Sequence, residues 1–187
     1  LATLRWSAGN HLHPLPVFGP TGVERVVAGF NAAYALDAEY RQAHHGDTVA
    51  PLSAAGMTAR PFSMRDDTTP TVVLSDGDLH IEAIPVDHAP VSPAVAYRFQ
   101  YRGRSLLISG DTVPGPALAS AAEGVDLLVH EALSPKLVDM MHNAAISNGD
   151  AILAKITADI PDYHSSPQEA ARLARDAGVG HLLYYHI

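Results

Sequence analysis

The stretch "AVAYRFQYRGRSLLISGD", residues 94–111, decides the fold. Ala94, Ala96, Arg98 and Gln100 alternate with Val95, Tyr97, Phe99 and Tyr101, the period of a half-buried strand. Arg102-Gly103-Arg104 supplies a turn. Leu106, Leu107 and Ile108 then form a second, more apolar strand that runs into Ser109-Gly110-Asp111. Upstream, "TVVLSDGDLHIEAIPVDH", residues 71–88, repeats the pattern around Ser75-Asp76-Gly77-Asp78, a strong hairpin signal. Two consecutive hairpins predict a mostly antiparallel sheet.

Downstream of Asp111 the rhythm changes. "PALASAAEG" reads as a helix, "VDLLVHEA" as a strand, and a helical stretch broken near Ser147-Asn148-Gly149 follows. "SPQEAARLARDAG" is a helix with a legible start: Ser166 as N-cap, Pro167 in the first turn and Glu169 completing a capping box, with Gly178 as its stop. "VGHLLYYHI" is the last strand. Upstream of the hairpins, "PLPVFGPTG" reads as a short strand. Thr21 is the expected N-cap of one long helix over "VERVVAGFNAAYALDAEYRQA", ended by His44, His45 and Gly46. Residues 47–70 carry four prolines and glycines in prominent positions and read as loop, with one short strand around residues 59–64. Strands and helices in this order predict an α/β sandwich with helices packed on sheets.

Composition sets further bounds. A chain of 187 residues, 47% hydrophobic, suits a single domain over residues 1–187. Its 12 Lys and Arg against 20 Asp and Glu give a net charge of -8, with the arginines scattered, which argues against a nucleic-acid partner. With no cysteine, any metal must be held by His and carboxylates. No apolar run approaches the length that spans a bilayer, and "LATLRWSAGNHLHP" lacks the regions of a signal peptide. The 11 histidines exceed ordinary usage and point to metal binding or acid–base chemistry.

Three apolar strands end in a ligand-forming residue: "IEAIPVDH" at His88, "SLLISGD" at Asp111 and "HLLYYH" at His186. A rigid strand aims its last side chain into a shared crevice, and a carboxylate at the edge of a core needs a compensating partner. Two imidazoles and a carboxylate suit zinc, manganese or iron. Taken singly, each is more often a structural residue than a ligand.

The order of "SGDT", "DLLVHEA" and "YHSSPQEAARLARDAGVGHLLYYH" resembles the second half of the metallo-β-lactamase superfamily, nearest to its ribonuclease Z, arylsulfatase-like and phosphodiesterase-like branch. "DHAPVSPAVAYRF" is similar to the family's ligand histidine and following tyrosine-arginine strand, and "PLPVFGPTG" to the strand and turn after its first metal motif. The resemblance implies an αββα sandwich of two mixed, mostly antiparallel sheets with helices on the outer faces, of which this chain is the C-terminal two thirds. It implies two divalent metal ions, zinc foremost, with His88 and His186 as terminal ligands of different ions and Asp111 bridging them. Gly110 would leave room for the ions. It further implies that Glu131 orients and polarises His164, and that His164 protonates a leaving group or stabilises an oxyanion.

The family's first motif, His-x-His-x-Asp-His, is absent: "HLHPLP" offers His11 and His13, but Leu15 and Pro16 stand where Asp and His are needed. Either the motif precedes Leu1 in a longer chain, or the protein is a degenerate member that cannot hold two metals. The persistence of His88, Asp111 and His186 favours the first. The basic arm that ribonuclease Z inserts after the tyrosine-arginine strand is also missing, because Tyr97-Arg98 runs through the turn directly towards Asp111. The expected activity is therefore binuclear hydrolysis of a small phosphodiester or aryl sulfate ester, with a small-molecule partner, no nucleic acid and a homodimer left open. The alternatives are a lactonase or β-lactam-type acyl hydrolase on the same metals, and a metal-free binding or scaffold domain. His44, His45, Tyr163 and the stretch from Met140 to Asn148 are candidates for a pocket mouth. His80, His130, His142 and His181 read as structural or surface residues, and Trp6, Tyr184 and Tyr185 as core.

Overall fold

A computed structural model describes residues 1–9 and 11–186. The chain forms two compact units, Leu1–Ser63 and Met64–Ile187.

The second unit holds a six-stranded sheet whose spatial order is the chain order: β3 (Thr71–Asp76), β4 (Leu79–His88), β5 (Val91–Tyr101), β6 (Arg104–Ile108), β7 (Leu127–Glu131) and β8 (His181–Tyr185). β3 to β6 pair antiparallel as the two expected hairpins. At the second turn Arg102 and Gly103 both have positive φ, 48° and 74°, the left-handed pair that matches the twist of a two-residue hairpin. β6, β7 and β8 are parallel, an arrangement that requires crossover connections, which helices supply here.

Those connections are α4 (Pro116–Ala121), α5 (Pro135–Ser147), α6 (Ala151–Asp159) and α7 (Pro167–Asp176). The capping box of α7 forms as the sequence predicts: Ser166 Oγ accepts from Glu169 N–H, and Glu169 accepts from Ser166 N–H at 2.8 Å. The break at Asn148-Gly149 separates α5 from α6, and His142 Nδ1 lies 3.0 Å from Thr157 Oγ1 across the pair. The core draws one buried residue from each central strand, Ile84, Ala96, Leu107 and Leu128, and packs them on Leu118, Ala121 and Ala122 of the α4 region and on Ala174 of α7. Small residues on the helices permit close approach to the sheet, and large ones on the strands fill the space.

In the first unit, β1 (Leu15–Pro20) and β2 (Met57–Phe62) pair in parallel, so this sheet departs from the antiparallel expectation. The reason is the crossover: α2 (Val23–Ala33) and α3 (Ala35–His45) lie between the strands, and a connection of that length returns the chain in the same direction. The single long helix is two, divided at Tyr34. Thr21 does not cap it: Gly22 occupies the N-cap with φ 109° and no side chain accepts there. The Met140–Asn148 stretch, a candidate for the pocket mouth, is helical through Ser147 as part of α5. A short helix unforeseen from sequence, α1 (Ala2–Gly9), buries Trp6 against Ala50 and Ala54, with Trp6 Nε1–H donating to Pro51 O at 2.9 Å. Among the described residues no helix is long and apolar enough to cross a membrane.

Candidate active site

Because β4 and β6 each run antiparallel to β5, and β7 and β8 run parallel to β6, the carboxyl ends of β4, β6, β7 and β8 share one edge of the sheet. His88 is the last residue of β4, Asp111 follows β6 by three residues, Glu131 closes β7, and His186 follows β8. Backbone bonds lace these ends together. Val113 N–H donates to Asp87 O at 3.0 Å, Ala132 N–H to Tyr185 O at 3.1 Å, and Leu133 N–H to Ser165 O at 2.8 Å.

Glu131 is fully buried, which removes the plain alternative of a surface acid at a strand end. One of its oxygens, Oε1, accepts from Thr112 N–H at 3.1 Å and Ser165 N–H at 2.9 Å, and lies 3.1 Å from His164 Nδ1. Two backbone N–H donors converge on this oxygen, which therefore acts as an acceptor. His164 Nδ1 must then donate, since the carboxylate can only accept. Its Nε2 is left for chemistry. The other oxygen, Glu131 Oε2, is buried with no hydrogen-bond partner among the described residues.

Ser109 and Ser165, both fully buried, brace this arrangement. Ser109 Oγ accepts from Glu131 N–H at 3.1 Å and Ser165 Oγ donates to Thr112 O at 2.6 Å. Sequence reading missed Ser109, Thr112 and Ser165 as supports. The small polar residues flanking "SGDT" and "YHSS" were the signal available. Tyr185, read as core, is only partly buried. Burial raises the pKa of its phenol, Ser109 opposes that, and the charges of Asp111 and Glu131 reinforce it.

The ligand atoms of Asp111, His164 and His186 all lie within 4.8 Å of one another. Two imidazoles and a carboxylate so gathered fit a divalent transition metal. His186 takes a left-handed backbone, φ 57°, a conformation uncommon for a non-glycine residue and concentrated at functional sites. His88 stands beside this group, its ring centroid 5.3 Å from that of His164. Its Nδ1 lies 2.9 Å from Tyr163 O. A carbonyl only accepts, so Nδ1 carries the proton and Nε2 keeps a lone pair for a ligand bond. The Tyr163 ring packs edge-on to His88 at 5.1 Å and lies 5.0 Å from His164.

Gly110 requires a different explanation from the one the sequence suggested. Its φ is 66°, and a Cβ there would lie 2.8 Å from Val95 O, so neighbouring strand backbone forbids the side chain. His11 and His13 are exposed in the first unit, and His44 and His45 form an edge-on ring pair at the end of α3. His130 is fully buried with Nδ1 2.6 Å from Glu131 O, and burial lowers its pKa.

Against known proteins, the sequence matches the family model of the β-lactamase superfamily domain over residues 1–187. The chain belongs to this superfamily. The resemblance read from the motifs is thereby borne out, as is the α/β fold with mixed sheets. Ribonuclease Z of Mycobacterium tuberculosis is 37% identical over 175 residues, covering 92% of this chain and 56% of that protein. Ribonuclease Z of Mycolicibacterium gilvum is 35% identical over 175 residues, covering 94% of this chain and 54% of that one. This β-lactamase superfamily chain thus spans little more than half the length of these two relatives. Among solved structures, the short form of human tRNase Z superposes with a TM-score of 0.56 at 18% identity, over 91% of this chain and 59% of that one. Zinc-bound PqqB from Methylobacterium extorquens superposes with a TM-score of 0.50 at 12% identity, over 97% and 54%. These two share the fold.

The relatives overturn one expectation. A small-molecule partner with no nucleic acid was read from the charge of -8 and the missing arm, yet the 37% identical relative is named a ribonuclease. Net charge sums over the whole surface and does not report the local potential at any one site.

Proposed function

We propose that residues 1–187 form part of a metal-dependent phosphodiester hydrolase acting on RNA. The observation that carries this reading is the gathering of Asp111, His164 and His186 within 4.8 Å, with His88 alongside and Glu131 buried behind His164. Relatives named ribonuclease Z at 35–37% identity supply the substrate class.

In this reading Asp111, His88 and His186 would hold two divalent ions, zinc foremost, and His164, whose ligand atom also lies within 4.8 Å of those of Asp111 and His186, would serve as proton donor beside them because its Nδ1 is committed to Glu131. When bound, the ions would supply Lewis acidity at a phosphoryl oxygen and lower the pKa of an attacking water. The chain's own residues do the rest. His88 is held by the Tyr163 carbonyl in the tautomer that offers Nε2. His164, held at Nδ1 by Glu131, leaves Nε2 free beside Asp111 and His186. His164 Nε2 is the atom placed to deliver a proton to the departing ribose oxygen. Thr112 and Ser165 backbone N–H groups fix the carboxylate, and through it the direction of that delivery.

The test is cleavage of a structured RNA with a 3′ extension by the full-length protein loaded with zinc or manganese. Cleavage that disappears with chelator and in Asp111→Ala is expected. His164→Ala should lose about 100-fold on RNA, a poor leaving group, and far less on a nitrophenyl phosphodiester, which needs no acid. A metal-loaded protein that leaves RNA intact would refute the proposal.

A further inference from the structure

The segment Tyr163-His164-Ser165 ties several parts of the site together through consecutive residues. Tyr163 O accepts from His88 Nδ1–H at 2.9 Å, and His164 Nδ1 lies 3.1 Å from Glu131 Oε1. Ser165 donates from its N–H to that same oxygen and from Oγ to Thr112 O. Tyr163 is the last residue of a 3-10 turn, Ile160–Tyr163, and His164 leaves the turn extended, with φ -125° and ψ 157°. At this change of direction the Tyr163 ring meets two imidazoles. It stands edge-on to His88, with centroids 5.1 Å apart and an interplanar angle of 89°, and lies tilted by 52° against His164 at 5.0 Å.

One hydrogen bond at Nδ1 does not fix an imidazole. The ring can still pivot about that bond, because the terminal side-chain torsion of a histidine has broad minima. His88 and His164 are each held at Nδ1, so the direction of each Nε2 depends on what limits the pivot. The Tyr163 ring limits both, at centroid separations that aromatic pairs prefer. Its hydroxyl forms no hydrogen bond among the described residues, so the contact is made by the ring. We infer that Tyr163 is a positioning residue whose ring holds the His88 and His164 imidazoles in a fixed relative orientation, so that one side chain governs both a metal ligand and the proton donor. The inference rests on the metal-dependent reading above.

Tyr163→Ala and Tyr163→Phe, made in the full-length protein, test this. In the metal-free proteins the ring signals of His88 and His164 are followed by NMR. Both should be sharp in the parent and in Tyr163→Phe, and broadened in Tyr163→Ala. Competition against a chelator should show zinc bound about three- to tenfold more weakly by Tyr163→Ala, and within about twofold of the parent by Tyr163→Phe. The ratio of kcat on structured RNA to kcat on a nitrophenyl phosphodiester should fall by a similar factor in Tyr163→Ala, because only the RNA leaving group needs the proton from His164. A general loosening of the fold would lower both rates together and leave that ratio unchanged. Ring signals unchanged in Tyr163→Ala, a change in zinc affinity or in the ratio without the other, or a Tyr163→Phe protein as impaired as Tyr163→Ala overturns the inference. A parent that binds no zinc, or binds it and leaves RNA intact, refutes the functional reading alone, and the ring signals then decide the positioning role by themselves.

Discussion

The two edges of the six-stranded sheet use the same kinds of side chain to opposite ends. At the turn edge, Arg102 donates to Asp78 at 3.1 Å across the neighbouring hairpin turns, with the side chains 71% and 63% exposed. At the carboxyl edge, His164 meets Glu131 at the same 3.1 Å, with side chains 7% and 0% exposed. Water screens the first pair and leaves it with little energetic consequence. The second pair is dry, braced by backbone donors, and its geometry is imposed by the surrounding protein. Burial, not distance, separates the two pairs.

Substitutions at the two edges should differ accordingly. Asp111→Ala should have the largest effect, a loss of at least about 100-fold in activity together with loss of bound metal, read by steady-state kinetics and metal analysis. Glu131→Gln keeps an oxygen for the three donors but removes the charge. It should lower kcat on RNA by about 10–100-fold with metal content retained, and a kcat unchanged within twofold would mean that the dry pair is only structural. Leu107→Ala, in the core between the two edges, should cost about 2–5 kcal/mol in chemical denaturation. Arg102→Ala at the turn edge should fall within about 0.5 kcal/mol of the parent.

The smallest effect is a pH dependence. Burial lowers the pKa of His130 from the ordinary 6.5, so the unfolded chain takes up its proton first as pH falls. The stability associated with a neutral His130 is full above about pH 6.5 and is lost as the pH drops from there towards the depressed value. Replacing His130 with a non-titrating residue should flatten the melting temperature between pH 7 and 5, relative to the parent, by thermal denaturation.

The hairpins, the α7 cap and the helix break at Gly149 were legible because each rests on local chemistry: paired turn residues, a Ser-Pro-x-Glu start, a glycine stop. His88, Asp111 and His186 were legible as strand ends, and their convergence follows from the alternation of antiparallel and parallel pairing, which the order of hairpins and helices also encodes. What sequence could not supply was depth and long-range contact. Nothing local distinguishes Glu131 at full burial from an acid on a surface, and nothing near Val95 announces that its carbonyl dictates Gly110. Thr21 failed as a cap because Gly22 adopts the left-handed conformation needed to enter α2. The charge of -8 was a poor guide to the partner for a related reason, since it averages over a whole surface.

The most direct test is the metal content of the purified full-length protein after loading with zinc and removal of excess, measured by mass spectrometry for the parent and for Asp111→Ala. Two ions per chain in the parent and fewer than one in the variant are expected if Asp111 is the shared ligand at the carboxyl edge. A parent without bound metal, or a variant that binds as much as the parent, would contradict it.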